Sequence, residues 1–220
     1  KISFIIDYTN KYKKDIIIWD ADTIILEKIK FFNKKHSIRY GTFNEYHHQY
    51  FLTNKKILNL IDFYQISFLT QFTAISIKEG KNIAVKLNLN KLNNKKIPKK
   101  LSELILISIF KAHSLYNGSM FSEYELIGQI NNDYKREKQI PILSLRFGLN
   151  GKLTKLQKKI CRLLRYKHIT YEHSHHNRDS IGMLNRNQTY LKFFKLIIKG
   201  SIKFFLKNIN YNFLYYKKLI

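Results

Sequence analysis

The residues best suited to chemistry in this chain are cations. Between positions 152 and 165, Lys152, Lys155, Lys158, Lys159, Arg162 and Arg165 alternate with Leu153, Leu156, Ile160, Leu163 and Leu164. Wound as a helix, the apolar set anchors one side and the basic set occupies the other. Such a helix presents charge to phosphates from a rigid support. An ordinary solvated helix face interleaves acids with its bases four residues apart, and this segment has none. Arg178, Arg186, Lys199 and Lys203 extend the basic surface toward the C-terminus. Tyr166, Tyr171 and Tyr190 stand among these cations as candidate base-stacking platforms. The other Phe and Tyr residues read mainly as core.

Other chemistry finds less support. His168, His173, His175 and His176 are the nearest thing to a metal-ligand cluster. No Cys or carboxylate clearly completes a shell, so surface histidines near RNA, or plain loop residues, are the stronger reading. His47-His48 is weaker still. Asp20 and Asp22 read as a helix cap rather than an acid/base pair. The chain has no P-loop, GxSxG, HExxH or GxGxxG string. Its single cysteine, Cys161, excludes an internal disulfide framework and a CxxC zinc site. The sequence thus assigns no catalytic residue, no metal site and no cofactor.

The charge of the whole chain points the same way. Its 220 residues carry 40 Lys and Arg against 15 Asp and Glu, a formal net charge of +25. Residues 151–220 hold 16 of those bases and only two acids, Glu172 and Asp179. That much unpaired charge repels itself unless a polyanion neutralises it, and nucleic acid is the usual one. At 45% hydrophobic residues the chain can still bury a substantial core, so it is no disordered basic tail. Lys, Ile, Asn, Phe and Tyr dominate while Pro and Gly are scarce, the signature of A/T-rich codons. A low-GC organellar genome, such as that of a protist mitochondrion, fits. The same codon bias permits Asp and Glu, so their scarcity reads as partly selected. No signal peptide is recognisable.

The elements that position these groups follow from periodicity. A short strand is expected at Asp15–Asp20 and a short helix at Thr23–Phe32. Asn54 is a candidate cap for an amphipathic helix over Ile57–Ile77, ended by Gly80; its charge-free part, Phe63–Ile77, is too short and polar to span a membrane. Asn82–Leu92 alternates as a half-buried strand. Lys91–Lys100 is a basic turn, followed by helices at Leu101–Tyr116 and Phe121–Ile130 and a charged loop at Asn131–Gln139. Ile142–Phe147 reads as a strand, Gly148–Gly151 as a turn, 152–165 as the basic helix and His168–His173 as another strand. Tyr190–Leu206 reads as two strands around Lys199-Gly200. The fold class expected is α+β: a C-terminal mixed sheet packed by two or more helices, with a mixed α/β N-terminal part. The domains expected are 1–81, a mixed helical and strand region, and 82–220, a basic α+β domain.

Several of these strings, in this order, are similar to the C-terminal part of small-subunit ribosomal protein three, the KH-containing family beside the channel through which mRNA enters. The resemblance covers about residues 82–208. Asn82–Leu92, the turn Lys95-Lys96-Ile97-Pro98-Lys99-Lys100 and Leu101–Tyr116 resemble that family's strand, Pro-containing basic turn and helix. Leu143–Phe147, Gly148-Leu149-Asn150-Gly151-Lys152-Leu153 and Lys155–Arg165 resemble its strand, glycine-rich turn and basic helix. Ile198–Leu206 resembles its closing strand. The chain departs from the family where Met120-Phe121 is followed by Ser122-Glu123-Tyr124-Glu125 instead of a basic cluster, and in having no GxxG loop before residue 82. Gly148-Leu149-Asn150-Gly151 is itself a GxxG, and a KH-like backbone clamp there is a rival reading. The resemblance implies small-subunit rRNA and neighbouring ribosomal proteins as partners, mRNA as a further one, a degenerate KH-like or protein-contact role for 1–81 and an rRNA-binding role for 82–220. The A/T-rich composition adds a mitochondrial location, and the short polar stretch Phe63–Ile77 an expectation of no membrane. An organellar RNA-processing or intron-associated nuclease, or an accessory subunit of a respiratory complex, are the alternatives.

Overall fold

A computed structural model describes residues 1–33, 36–43, 47–59, 67–113, 118–131, 140–146, 153–170 and 186–217. The fold is α+β. Seven helices are found among the described residues: α1 (Ile2–Tyr12), α2 (His48–Leu58), α3 (Ile77–Lys86), α4 (Ile97–Ala112), α5 (Glu123–Asn131), α6 (Lys155–Leu163) and α7 (Arg186–Lys217). The strands are β1 (Ile16–Trp19), β2 (Thr23–Ile25), β3 (Tyr40–Gly41), β4 (Phe72–Ile75), β5 (Ile140–Pro141), β6 (Ser144–Arg146) and β7 (His168–Thr170). Contacts divide the chain into two compact units. One comprises Lys1–Ile18, Phe31–Gly41 and Glu45–Ile140; the other comprises Trp19–Lys30, Thr42–Asn44 and Pro141–Ile220. The boundary expected at 81 falls inside α3, and both its sides belong to the first unit.

The first unit is mainly helical. Ile2, Ile5 and Ile6 of α1 pack with Ile83 and Leu87 around α3, and with Leu126 and Ile127 of α5. Each such side chain contributes roughly 1.5–3 kcal/mol by leaving water. Ser76 and Glu79 form a reciprocal capping box that starts α3. Glu79 also accepts from Ser37 Oγ and pairs with the buried Arg39, whose Nη1 donates to Ala74 O at 2.7 Å. This ties the α3 entrance to the segment before β3.

Deeper in the unit, Glu125 of α5 is completely buried. Its Oε2 accepts from Ser67 Oγ at 2.7 Å and from the Phe68 N–H at 3.1 Å, and Gln129 Nε2 donates to Oε1 at 3.3 Å. Burial pushes its pKa up to about 7, against the lowering effect of those hydrogen bonds. Three residues on, Gly128 lets the Phe68 ring lie against α5. A Cβ there would stand 2.1 Å from Phe68 Cγ. Gly128→Ala is therefore expected to cost about 2 kcal/mol through overpacking, read as a lower midpoint in urea unfolding.

The second unit holds a mixed sheet, as expected, but one of its three strands comes from the N-terminal part of the chain and not from residues 82–220. Its order is β2-β7-β6, with β2 antiparallel and β6 parallel to the central β7. All three residues of β7 are buried. Thr23 and Thr170 join hydroxyls across the β2–β7 pair at 2.9 Å. Leu143 and Leu145 around β6, Ile169 of β7, Cys161 of α6, Tyr166 after it, and Phe193 and Ile197 of α7 form one core.

Several sequence expectations are corrected. Asn82–Leu92 is not a strand: residues 82–86 finish α3, which buries Gly80, Ile83 and Ala84 while Val85 is 53% exposed. Gly80 lies inside that helix against Thr9 and does not stop it. Thr23–Phe32 is no helix, since Thr23–Ile25 is β2. Ile57–Ile77 is not one helix, because α2 ends at Leu58 and Phe72–Ile75 is β4. Asn54 lies within α2 and caps nothing. Asp20 and Asp22 belong to a turn whose closing bonds run from Thr23 N–H to Asp20 O at 3.0 Å and from Trp19 Nε1 to Thr23 O at 2.9 Å. Tyr190–Leu206 is not a pair of strands: it lies entirely within α7. The residues 60–66 and most of Asn131–Gln139 lie outside the described residues.

Candidate nucleic-acid interface

The basic helix is where its sequence placed it. Thr154 caps α6: its Oγ1 accepts from Gln157 N–H at 3.2 Å, and Gln157 Oε1 accepts from Thr154 N–H at 2.8 Å. The other end closes as a Schellman motif, with Tyr166 N–H to Cys161 O at 2.9 Å and Arg165 N–H to Arg162 O at 2.9 Å. Both ends of this nine-residue helix are thus fixed by hydrogen bonds.

The face held inward is not the one expected. Leu153 is buried and Ile160 half-buried, but Gln157 and Cys161 take the remaining core positions. Leu156 and Leu163 are 62% and 73% exposed, and Leu164 is exposed as well. The thiol of Cys161, fully buried, has its pKa pushed up to about 11 by burial, so it is an inert packing group. Tyr166 is fully buried too, so it is no stacking platform. Its hydroxyl donates to Ile197 O at 3.0 Å, and burial raises its pKa.

The outward face is basic as expected. Lys155, Lys159, Arg162 and Arg165 are exposed and Lys158 is half-buried. Among the described residues, no ion pair neutralises any of these five. Arg162 donates Nε to Leu26 O at 3.0 Å, which holds the guanidinium in place on an exposed side chain. Lys167, by contrast, pairs with Glu27. The arrangement works against the helix. Lys155 sits in the first turn, at the positive end of the macrodipole, and Lys155/Lys159 and Lys158/Arg162 are like-charge pairs four residues apart, each unfavourable by roughly 0.2–0.5 kcal/mol.

Arg165 adds to the cost. It holds φ at 63°, the left-handed region a Schellman motif requires and glycine adopts freely. Arg165→Gly is expected to raise stability by about 0.5–1 kcal/mol, the left-handed penalty less the entropy cost of glycine, read as a higher midpoint in thermal unfolding.

The remaining predicted residues divide by location. Lys199 and Lys203 are exposed on α7, which carries no acid along its length. Burial and the neighbouring Lys203 lower the pKa of Lys207 on the same helix. α6 and α7 share one core within the second unit. Arg186 begins α7. Lys152, Arg178, Tyr171, Phe147, the Gly148–Gly151 turn, His173, His175 and His176 lie outside the described residues, and of Tyr190 only its place in α7 is described. His168 is buried in β7.

Sequence reasoning missed the exposed leucines of α6 and, in the lysine row of α7, Lys195 and Lys207 beside the Lys199 and Lys203 it named. The row was legible in the spacing of Lys195, Lys199, Lys203 and Lys207, had the segment been read at helical period. No helix among the described residues is long and apolar enough to cross a membrane.

The second unit thus defines a small α+β module, a three-stranded mixed sheet with a basic helix on it. Comparison with protein-family models, curated proteins and solved structures finds no match for this chain. Of the strings that carry the ribosomal resemblance, the helix from Leu101, β6 and α6 have the expected type. Asn82–Leu92 and Ile198–Leu206, expected as strands, do not, and Ile97–Lys100 of the expected Pro-containing turn is the first turn of α4.

Proposed function

We propose that this chain is a structural rRNA-binding component of a mitochondrial small ribosomal subunit, with no chemistry of its own. The observation that supports it is the outward face of α6: Lys155, Lys159, Arg162 and Arg165 exposed and without an ion pair among the described residues, on a helix capped at both ends. Charge crowding that costs stability is accounted for if a polyanion supplies the missing negative partner. A side near the mRNA channel, with mRNA as a further contact, rests on the resemblance of α4, β6 and α6 alone.

Salt dependence tests the electrostatic part. With four to five phosphate contacts, log K for a structured RNA should fall against log salt with a slope of about −3 to −4. A slope near zero in a filter-binding titration would remove phosphate neutralisation from the account.

A further inference from the structure

The helix α7 has two unlike faces. Phe193, Ile197 and Phe204 point into or against the core of the second unit, and Gly200 lies with them so close to Tyr166 that an added Cβ would stand 2.8 Å from its hydroxyl. On the side away from that edge runs a second apolar row: Leu191, Phe194, Ile198, Ile202, Phe205 and Ile209, each between 42% and 65% exposed. Their spacings are three, four, four, three and four. This is the start of an eleven-residue pattern that keeps a stripe almost parallel to the helix axis. From Leu191 to Ile209 the stripe runs about 27 Å. A contiguous apolar row of that length on a chain this polar marks an interaction surface.

The edges of the stripe say what fits it. At 100° per residue, Lys195, Lys199 and Lys203 follow one another beside the stripe, with Leu206 among them, while Lys207 turns to the far side of the helix. The other edge carries Ser201 and Asn208, which are uncharged. We propose that this face docks an amphipathic helix of another protein, whose apolar stripe packs on Ile198, Ile202 and Phe205 and whose Asp and Glu residues line the edge facing the lysines. A second copy of this chain fits worse, because α7 has no acid to answer its own lysines. RNA phosphates have no use for six exposed aliphatic and phenyl side chains. An anionic lipid surface rewards lysines on both edges of an interfacial helix, and here only one edge has them. The proposal stands on α7 alone and does not depend on the RNA reading of α6.

The test is Ile202→p-benzoylphenylalanine in the full chain, photo-cross-linked in its native organelle, with the linked peptides sequenced by mass spectrometry. The expected product joins residue 202 to one helical segment of a different protein, with apolar residues at helical spacing and acids along one edge. The double variant K199E/K203E should reduce that product about tenfold, and changing the partner's facing acids to Lys should restore it. Products on RNA, on phospholipid or on a second copy, no product at all, or a product indifferent to the charge reversal would each overturn the proposal. Cross-links to RNA would do so while leaving the reading of α6 intact.

Discussion

Changing Lys155, Lys158 and Lys159 together to Glu is expected to lower affinity for structured RNA by at least about 10²-fold, and to abolish incorporation of the chain into its subunit. The magnitude follows from counterion release. If each neutralised phosphate contributes about −0.7 to −0.9 to the slope of log K against log salt, it is worth roughly five- to eightfold between 1 M and 0.1 M salt. Three contacts multiply to a few hundredfold, and reversed rather than removed charges add repulsion. Folding should survive. None of the three side chains is buried, and among the described residues none has an ion pair to lose. Reversal at Lys155 also puts an acid in the first turn, where the macrodipole favours one. Circular dichroism and thermal unfolding should therefore match or exceed the parent protein while RNA titration collapses. Unimpaired RNA binding and incorporation would remove α6 from the interface.

The second large effect concerns stability and pH. Glu125 has an ordinary pKa of 4.5 raised to about 7 by burial in the first unit. Below 4.5 the group is protonated in both folded and unfolded chains. Between 4.5 and 7 the unfolded chain gives up its proton while the folded chain keeps it, so stability falls as pH rises. Above 7 the loss is complete, at about 3 kcal/mol. Other carboxylates and the histidines also titrate over part of this range, so the quantity to measure is a difference. Glu125→Gln keeps the shape and an amide oxygen for Ser67 and Phe68, with Gln129 turned to offer its own oxygen. The stability of the parent relative to E125Q, from urea unfolding, should fall by about 2.5 kcal/mol between pH 5 and pH 8, the rest of the loss lying below pH 5. A flat difference would show that Glu125 is ionised in the folded protein throughout.

Much of the fold was legible where one face of an element is polar. The alternation of Leu143 and Leu145 gave β6, and the basic run after residue 152 gave α6. The errors share a cause. In α3 the residues facing the core include Gly80 and Ala84, too small to register as apolar. Ile83, Val85, Leu87 and Leu89 then read as period two, although Val85 faces outward. The string Ser76-Ile77-Lys78-Glu79 was the better signal, because a capping box announces a helix start whatever follows. In α7 both faces are apolar, so neither period stands out, and Gly200 looked like a turn. It is instead the point where α7 meets Tyr166. Burial of Glu125 was illegible for another reason: its partners Ser67 and Phe68 lie almost sixty residues away. Local pattern cannot report a pocket that only tertiary packing closes.

For the candidate interface, charge was the legible part and the anchor was not. Lys155, Lys158, Lys159, Arg162 and Arg165 remain outward or half-outward, as their lack of acidic neighbours implied. The five apolar residues read as one anchoring face are divided, with Gln157 and Cys161 turned inward and Leu156 and Leu163 turned outward. A helix nine residues long makes about two and a half turns, so the tilt at which it meets the sheet decides which residues are covered.

Sedimentation of an organelle extract on a sucrose gradient, with this chain followed by mass spectrometry, tests the central claim most directly. The account predicts co-migration with small-subunit rRNA through moderate salt. Migration with a membrane complex, or free at the top of the gradient, would contradict it.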